Sequence, residues 1–401
     1  MTSKMLKAFL FFICFSLLAV SCTHAPTDQK SNGGTDTVAA SEPLCIGGND
    51  ISKYTVVYRR TDYYNVLNRL GDLIVNDYDF DRISAEKLAD LIYSKFGIRL
   101  EVKCDDWCDE TEYEILVGRT NRNLHPTDLT EDEYVIRTEG KKLVVCGGSY
   151  GSTWHAIDGL ENWIAEQTGS GTDTLDFTAA HNIDSAYDVK VIACIGDSIT
   201  YGSTSTDPAY LSYPANLQRL LWKDYIVYNY GRGGKTMRDD LEDSYMATDE
   251  YRSCLENPIG YDLVLIMLGT NDSARDPLWT SADNAQFTSS CKTMIDAIQA
   301  KNGKAKFVLM NCPAYYGNGT AGSAWVLNAQ KKTFTELYAS GYDLTFYDMN
   351  RFTSTEMGEA LFPDTLHPSD AGYVKMAAGV RDLVISIMTD QANQYVVAYS
   401  N

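Results

Sequence analysis

From residue 189 onward, short apolar runs alternate with longer amphipathic ones, and that alternation leaves few folds open to the chain. Residues 191–195, 226–230, 263–268, 307–311 and 344–347 are apolar and strand-length, while 213–222, 287–301, 326–339 and 370–388 carry helical spacing. Continuous apolar strands are buried on both faces, so the pattern predicts a parallel sheet with helices on either side, an α/β fold.

The preceding part is organised differently. Residues 54–58 read as a strand, 64–77 and 84–96 as amphipathic helices, and 100–102, 113–117, 134–136 and 143–145 as further strands. The last two are joined through Glu139-Gly140 as a hairpin, and a helix over 153–166 closes the unit. This mixture predicts a smaller α+β domain over 46–185 that includes a connector, entered at Gly169-Ser170-Gly171-Thr172, with one short strand. The α/β domain then occupies 186–401.

Ahead of both lies Lys4 and Lys7 followed by an apolar run over 8–20, too short to span a bilayer as a helix of about 20 residues. Residues 1–22 are expected to be an export signal. Leu18-Ala19-Val20-Ser21-Cys22 resembles the lipobox of bacterial lipoproteins, which implies a lipid anchor on Cys22; an ordinary cleaved signal of a secreted protein is the alternative. Residues 23–45, rich in Thr, Ser, Gly and Asp, then read as a flexible linker. Both readings put the mature chain outside the cytoplasm.

A formal charge of -20 argues against nucleic acid as a partner and sets no barrier to a neutral substrate. The ten cysteines are scattered; Cys104 and Cys108 flank a polar loop and are placed for a local pairing, whereas Cys146, Cys194 and Cys312 lie in strand-like runs as buried thiols. The five histidines are dispersed, with no zinc-site spacing, so no metal or other cofactor is expected.

Candidate chemistry gathers just past the predicted strand ends, where an α/β sheet holds its ligands. Ser198 follows the first strand through Gly196-Asp197. A serine hydroxyl needs a base, and after residue 170 the sequence has His181, in the connector, and His367. His367 is the economical choice, and Asp364, three residues earlier, is within reach of its Nδ1 proton. The backbone N–H groups of Ser198 and Gly231 and the side-chain amide of Asn271 are candidate donors to an oxyanion.

Gly196-Asp197-Ser198-Ile199-Thr200, Asn229-Tyr230-Gly231, Gly269-Thr270-Asn271-Asp272 and Asp364-Thr365-Leu366-His367-Pro368 together resemble the four blocks of the SGNH (GDSL-like) hydrolase family. The resemblance implies a flavodoxin-like three-layer α/β/α fold, a Ser198–His367–Asp364 triad, and an oxyanion hole of Ser198, Gly231 and Asn271. Flanking segments such as Tyr201-Gly202, Ser212-Tyr213-Pro214 and Phe362-Pro363-Asp364 are similar to carbohydrate O-acetylesterases of the sialate or xylan type. An acetylated carbohydrate is the substrate so implied, and Tyr201, Tyr213, Trp279, Tyr315, Tyr316 and Trp325 are candidate sugar-facing aromatics, two or three of them expected near the site. The first domain resembles small α+β domains that precede catalytic modules in carbohydrate-active enzymes. Two alternatives stay open: a lipase-like or thioester-cleaving hydrolase, and a surface glycan-binding protein without turnover.

Overall fold

Consecutive apolar side chains, buried toward both faces, build the first sheet. Its strands are β1 (Thr55–Tyr58), β2 (Val102–Cys104), β3 (Glu114–Val117), β4 (Glu133–Glu139), β5 (Lys142–Gly147) and β6 (Ile183–Ala186), in the order β6-β4-β5-β3-β1-β2. Neighbours β5, β3, β1 and β2 run parallel, while β4 and β6 pair antiparallel. Val56, Tyr58, Ile115, Val117 and Val145 pack with helices α1 (Phe80–Phe96) and α2 (Tyr150–Gly169). Val57, Leu116, Val135 and Val144 point the other way, where Cys108, Leu124 and Leu129 cover them.

The computed structural model describes residues 44–60, 66–67, 73–74, 80–169, 175–275, 278–319 and 322–389. The expected export signal with Cys22, and the linker through residue 43, lie outside the described residues. So does most of 64–77, expected as a helix; its described pieces, Val66–Leu67 and Leu73–Ile74, instead pair as antiparallel strands. The connector holds more than the single strand expected: Asp176–Phe177 pairs with Cys45–Ile46, and β6 adds an edge to β4. Cys104 and Cys108 are thiols, and Cys146, Cys194 and Cys312 are buried thiols.

The second sheet is parallel throughout. Strands β7 (Lys190–Gly196), β8 (Tyr225–Gly231), β9 (Leu263–Met267), β10 (Lys306–Met310) and β11 (Leu344–Tyr347) lie in the order β8-β7-β9-β10-β11. Strand order therefore reverses beside β7, the switch point at which such sheets open a crevice beyond their carboxyl ends. The connecting helices are α3 (Ser198–Tyr201), α4 (Tyr213–Leu221), α5 (Asp249–Glu256), α6 (Thr270–Arg275), α7 (Ser281–Lys301), α8 (Ala324–Ala339) and α9 (Asp370–Met388).

Strand alternation separates two cores. Val191, Ala193, Ile195, Ile266 and Leu309 pack with α5, α7 and α8, whereas Ile192, Cys194, Leu265 and Val308 pack with α4 and α9. The result is the three-layer α/β/α arrangement the sequence pattern predicts. Both sheets belong to one compact unit, Glu42–Asn401. Aromatic rings join them: Trp222, after α4, stacks on Phe80 of α1 and meets Trp154 of α2 edge-on, with centroids 5.7 and 4.6 Å away.

Candidate active site

β7 ends at Gly196 and the chain turns directly into α3, capped by Asp197, whose carboxylate accepts the Ile199 N–H at 3.0 Å. Ser198 is thereby the first residue of a one-turn helix at the carboxyl edge of the sheet. A Cβ at position 196 would lie 2.0 Å from Thr200 Oγ1 and 2.8 Å from the Met267 carbonyl, so glycine is what lets β7, β9 and α3 meet.

His367 reaches the same point from the loop before α9. Its Nε2 lies 2.8 Å from Ser198 Oγ, and its Nδ1 lies 2.7 Å from Asp364 Oδ2. The other carboxylate oxygen of Asp364 accepts the N–H groups of Leu366 and His367 at 3.0 and 2.6 Å. This tight turn puts Thr365 at φ 69°, and the Thr365 carbonyl accepts the Tyr316 N–H at 2.9 Å. Burial tends to raise the Asp364 pKa, but the His367 backbone N–H, the imidazole and the Leu366 N–H outweigh it and hold the carboxyl below its usual range. An ionised Asp364 places the imidazole proton on Nδ1 and leaves the Nε2 lone pair toward Ser198 Oγ. The His367 and Asp364 side chains are 16% and 43% exposed, so the relay is reachable from solvent.

Two of the expected oxyanion donors already have partners within the protein. Asn271, in the first turn of α6, has its amide held by the Lys235 carbonyl at 3.0 Å and faces Asp197 Oδ2 at 3.4 Å. Gly231 donates its N–H to Asn229 Oδ1 at 2.9 Å, so that group too is engaged within the protein. Its lack of a side chain serves packing instead: a Cβ there would sit 2.1 Å from the Tyr201 nitrogen. From the same loop it is Gly233 that comes beside Ser198, its Cβ position 3.8 Å from the serine Cβ.

Two carboxylates given no role in the sequence reading support this arrangement. Asp272, fully buried, accepts the N–H of Met237 at Oδ2 and of Arg238 at Oδ1, both at 2.9 Å, and so ties the loop after β8 to α6. Asp197 is also buried, with the Asn271 amide 3.4 Å from its Oδ2. Burial pushes both carboxyls up to about 6, against the pull of their backbone N–H donors. For Asp197 the available signal was an acid directly after an apolar strand; Asp272 lies five residues past its strand, in α6.

The aromatic candidates divide. Tyr201 and Trp325 are 47% and 42% exposed, whereas Tyr213 is fully buried in the core against α9. Trp279 donates to Asn284 and packs on Phe287, Tyr316 rests on Phe362 beneath the His367 loop, and the Tyr315 hydroxyl accepts the Gly319 N–H. His181 lies apart, its Nδ1 3.2 Å from Thr178 Oγ1. Among the described residues no group of three or more His, Cys, Asp or Glu is placed to hold a metal ion.

Residues 194–375 match the model of the GDSL-like Lipase/Acylhydrolase family. They form a GDSL-like lipase/acylhydrolase domain. A curated relative, an acetylxylan esterase of Xylanibacter ruminicola, is 29% identical over 209 residues, which cover 46% of this chain and 41% of that protein. The chain thus spans less than half the length of that relative. Among solved structures, the domain is similar to a family two carbohydrate esterase from Clostridium thermocellum, with 22% identity, a TM-score of 0.38, and coverage of 52% of this chain and 68% of that one. An acetyl xylan esterase from the rumen bacterium Butyrivibrio proteoclasticus gives 15% identity, a TM-score of 0.38, and coverage of 52% and 67%.

Proposed function

We propose that this protein is an exported serine esterase that removes acetyl groups from a carbohydrate through an acyl intermediate on Ser198. One observation carries the reading: Ser198 Oγ, His367 and Asp364 form a continuous hydrogen-bonded relay, with contacts of 2.8 and 2.7 Å. The acetylxylan esterase relative supports the acyl group and the substrate class.

As Ser198 Oγ attacks the ester carbonyl, its proton passes to His367 Nε2, and Asp364 stabilises the imidazolium that results. The carbonyl oxygen becomes an oxyanion beside the Ser198 N–H, and the Gly231 N–H and Asn271 amide, which at rest donate to Asn229 and Lys235, are the further donors proposed. Fixed donors of this kind lower such barriers by roughly 3 to 4 kcal/mol each. When the C–O bond to the sugar breaks, His367 returns the proton to the departing sugar oxygen. Water then attacks the acetyl-serine with His367 again as base, releasing acetate and restoring Ser198.

The solvent-reachable relay suits a polymer-borne ester, and the exposed Tyr201 and Trp325 offer faces for sugar rings. The deciding experiment incubates wild type and Ser198→Ala with acetylated xylan, other acetylated glycans and long-chain acyl esters. Acetate release from glycans by wild type, absent in the folded variant, is the expected result. Preference for long acyl chains would replace the substrate assignment, and retained turnover by the variant would remove the mechanism.

A further inference from the structure

The parallel strands β1, β3 and β5 finish on one edge of the first sheet, and a cavity of about 410 Å³ opens there. Arg59 directly follows β1, and Arg119 follows β3 after one glycine; both line it, with Asp81 at the start of α1 and Glu131 just before β4. Trp222, in the turn after α4, and Tyr228 of β8 also line it. The volume falls in the small-ligand range of roughly 300 to 1,000 Å³. Its location, outside the carboxyl ends of parallel strands, is also where such sheets bind ligands. None of Ser198, His367, Asp364 or Asn271 lines it. Tyr228 precedes Gly231 by three residues of extended chain, about 10 Å, on the side away from the relay.

The lining chemistry selects among ligands. Two guanidinium and two carboxylate groups make the cavity polar but charge-balanced, which suits a hydrocarbon poorly and would set a polyanion against Asp81 and Glu131. Neutral vicinal hydroxyls suit both: they accept from planar guanidinium N–H groups and donate to carboxylate oxygens. Trp222 and Tyr228, though each already stacks on a neighbouring ring, Phe80 and Tyr230, add apolar lining for sugar C–H surfaces. We propose that this cavity binds a neutral saccharide of one or two rings, as a site separate from that of Ser198. Binding there is independent of the chemistry assigned to Ser198.

Isothermal titration of the full chain with unacetylated xylotriose, cellotriose and mannotriose, which carry no ester, tests it. At least one should bind, and the double variant Arg59→Lys/Arg119→Lys, which keeps both charges but not the planar fork, should bind at least about tenfold more weakly. Hydrolysis of p-nitrophenyl acetate by that variant should equal wild type, which separates loss of this site from loss of the fold or of the relay. Binding unchanged in the variant, no heat from any of the three sugars, or binding confined to uronate-bearing oligosaccharides would each overturn the proposal.

Discussion

The two sheets differ in how they are covered. The parallel sheet β7–β11 is held between helices on both faces, while the mixed sheet has helices on one face and loop residues on the other. All five strands of the parallel sheet deliver their loops to one edge, and those loops are braced from both layers; the Ser198, Asn271 and His367 segments meet there. In the mixed sheet, antiparallel β4 sends its loop to the opposite edge, so fewer segments converge, and they enclose a polar cavity instead of a relay. Uniform strand direction together with two-sided cover is what fixes groups from distant segments to hydrogen-bonding distance.

This contrast can be broken by substitution. The largest effect belongs to the relay: Ser198→Ala should cut p-nitrophenyl acetate turnover by about 10⁴- to 10⁶-fold, and Asp364→Asn by about 10⁴-fold, with unchanged circular dichroism. A variant of either kind with near-normal turnover would show that the braced edge is not the reacting one. For the cores, Leu265→Ala between α4, α9 and the sheet should cost about 3 to 5 kcal/mol of unfolding free energy, against about 2 to 3 for Leu116→Ala beneath the loop-covered face. Both leucines are 1% exposed or less, so equal losses in denaturant titrations would deny that the cover matters.

Acidity offers a finer probe. Asp272 titrates near 6 when folded against an ordinary 3.8, so its proton favours the folded state below about pH 4, and that advantage disappears as pH rises through 6. The unfolding free energy of wild type minus that of Asp272→Asn should therefore fall by up to about 3 kcal/mol between pH 4 and pH 7. A difference flat in pH would place that carboxyl in contact with water. The smallest effect is kinetic: Asp272→Asn removes one acceptor from the Met237 and Arg238 N–H pair, and kcat should drop about tenfold with little change in KM. A change in KM alone would mean that the anchored loop meets substrate rather than the developing charge.

Much of this was legible in the sequence for a simple reason. Apolar runs such as residues 191–195 and 263–268 cannot be stable unless covered on both faces, and the residues that end them are confined to one edge. Ser198 follows from that argument, His367 from the scarcity of bases after residue 170 and Asp364 from its nearness to His367, and the three lie in one hydrogen-bonded line. Adjacency to a strand end does not show, however, that Asn229 turns back to take the Gly231 N–H. The pairing of Val66–Leu67 with Leu73–Ile74 was missed because a short amphipathic run fits a helix and a hairpin alike. Glu114 reads as an ordinary strand start. Its burial at 1% is possible only because Lys142 and Arg122 close on it at 2.6 and 3.2 Å, and such partners declare themselves only in three dimensions.

The turn from Asp364 to His367 has a further consequence. Acid and imidazole are supplied by four successive residues, tied by three hydrogen bonds and by Thr365 in a left-handed conformation that a β-branched residue rarely adopts. They therefore move as one rigid cassette. Thermal loosening or a crowded substrate leaves their mutual spacing intact and acts on a single coordinate, the gap between that cassette and the serine, so gradual heat inactivation should follow the melting of the α9 entrance rather than any disordering within the pair.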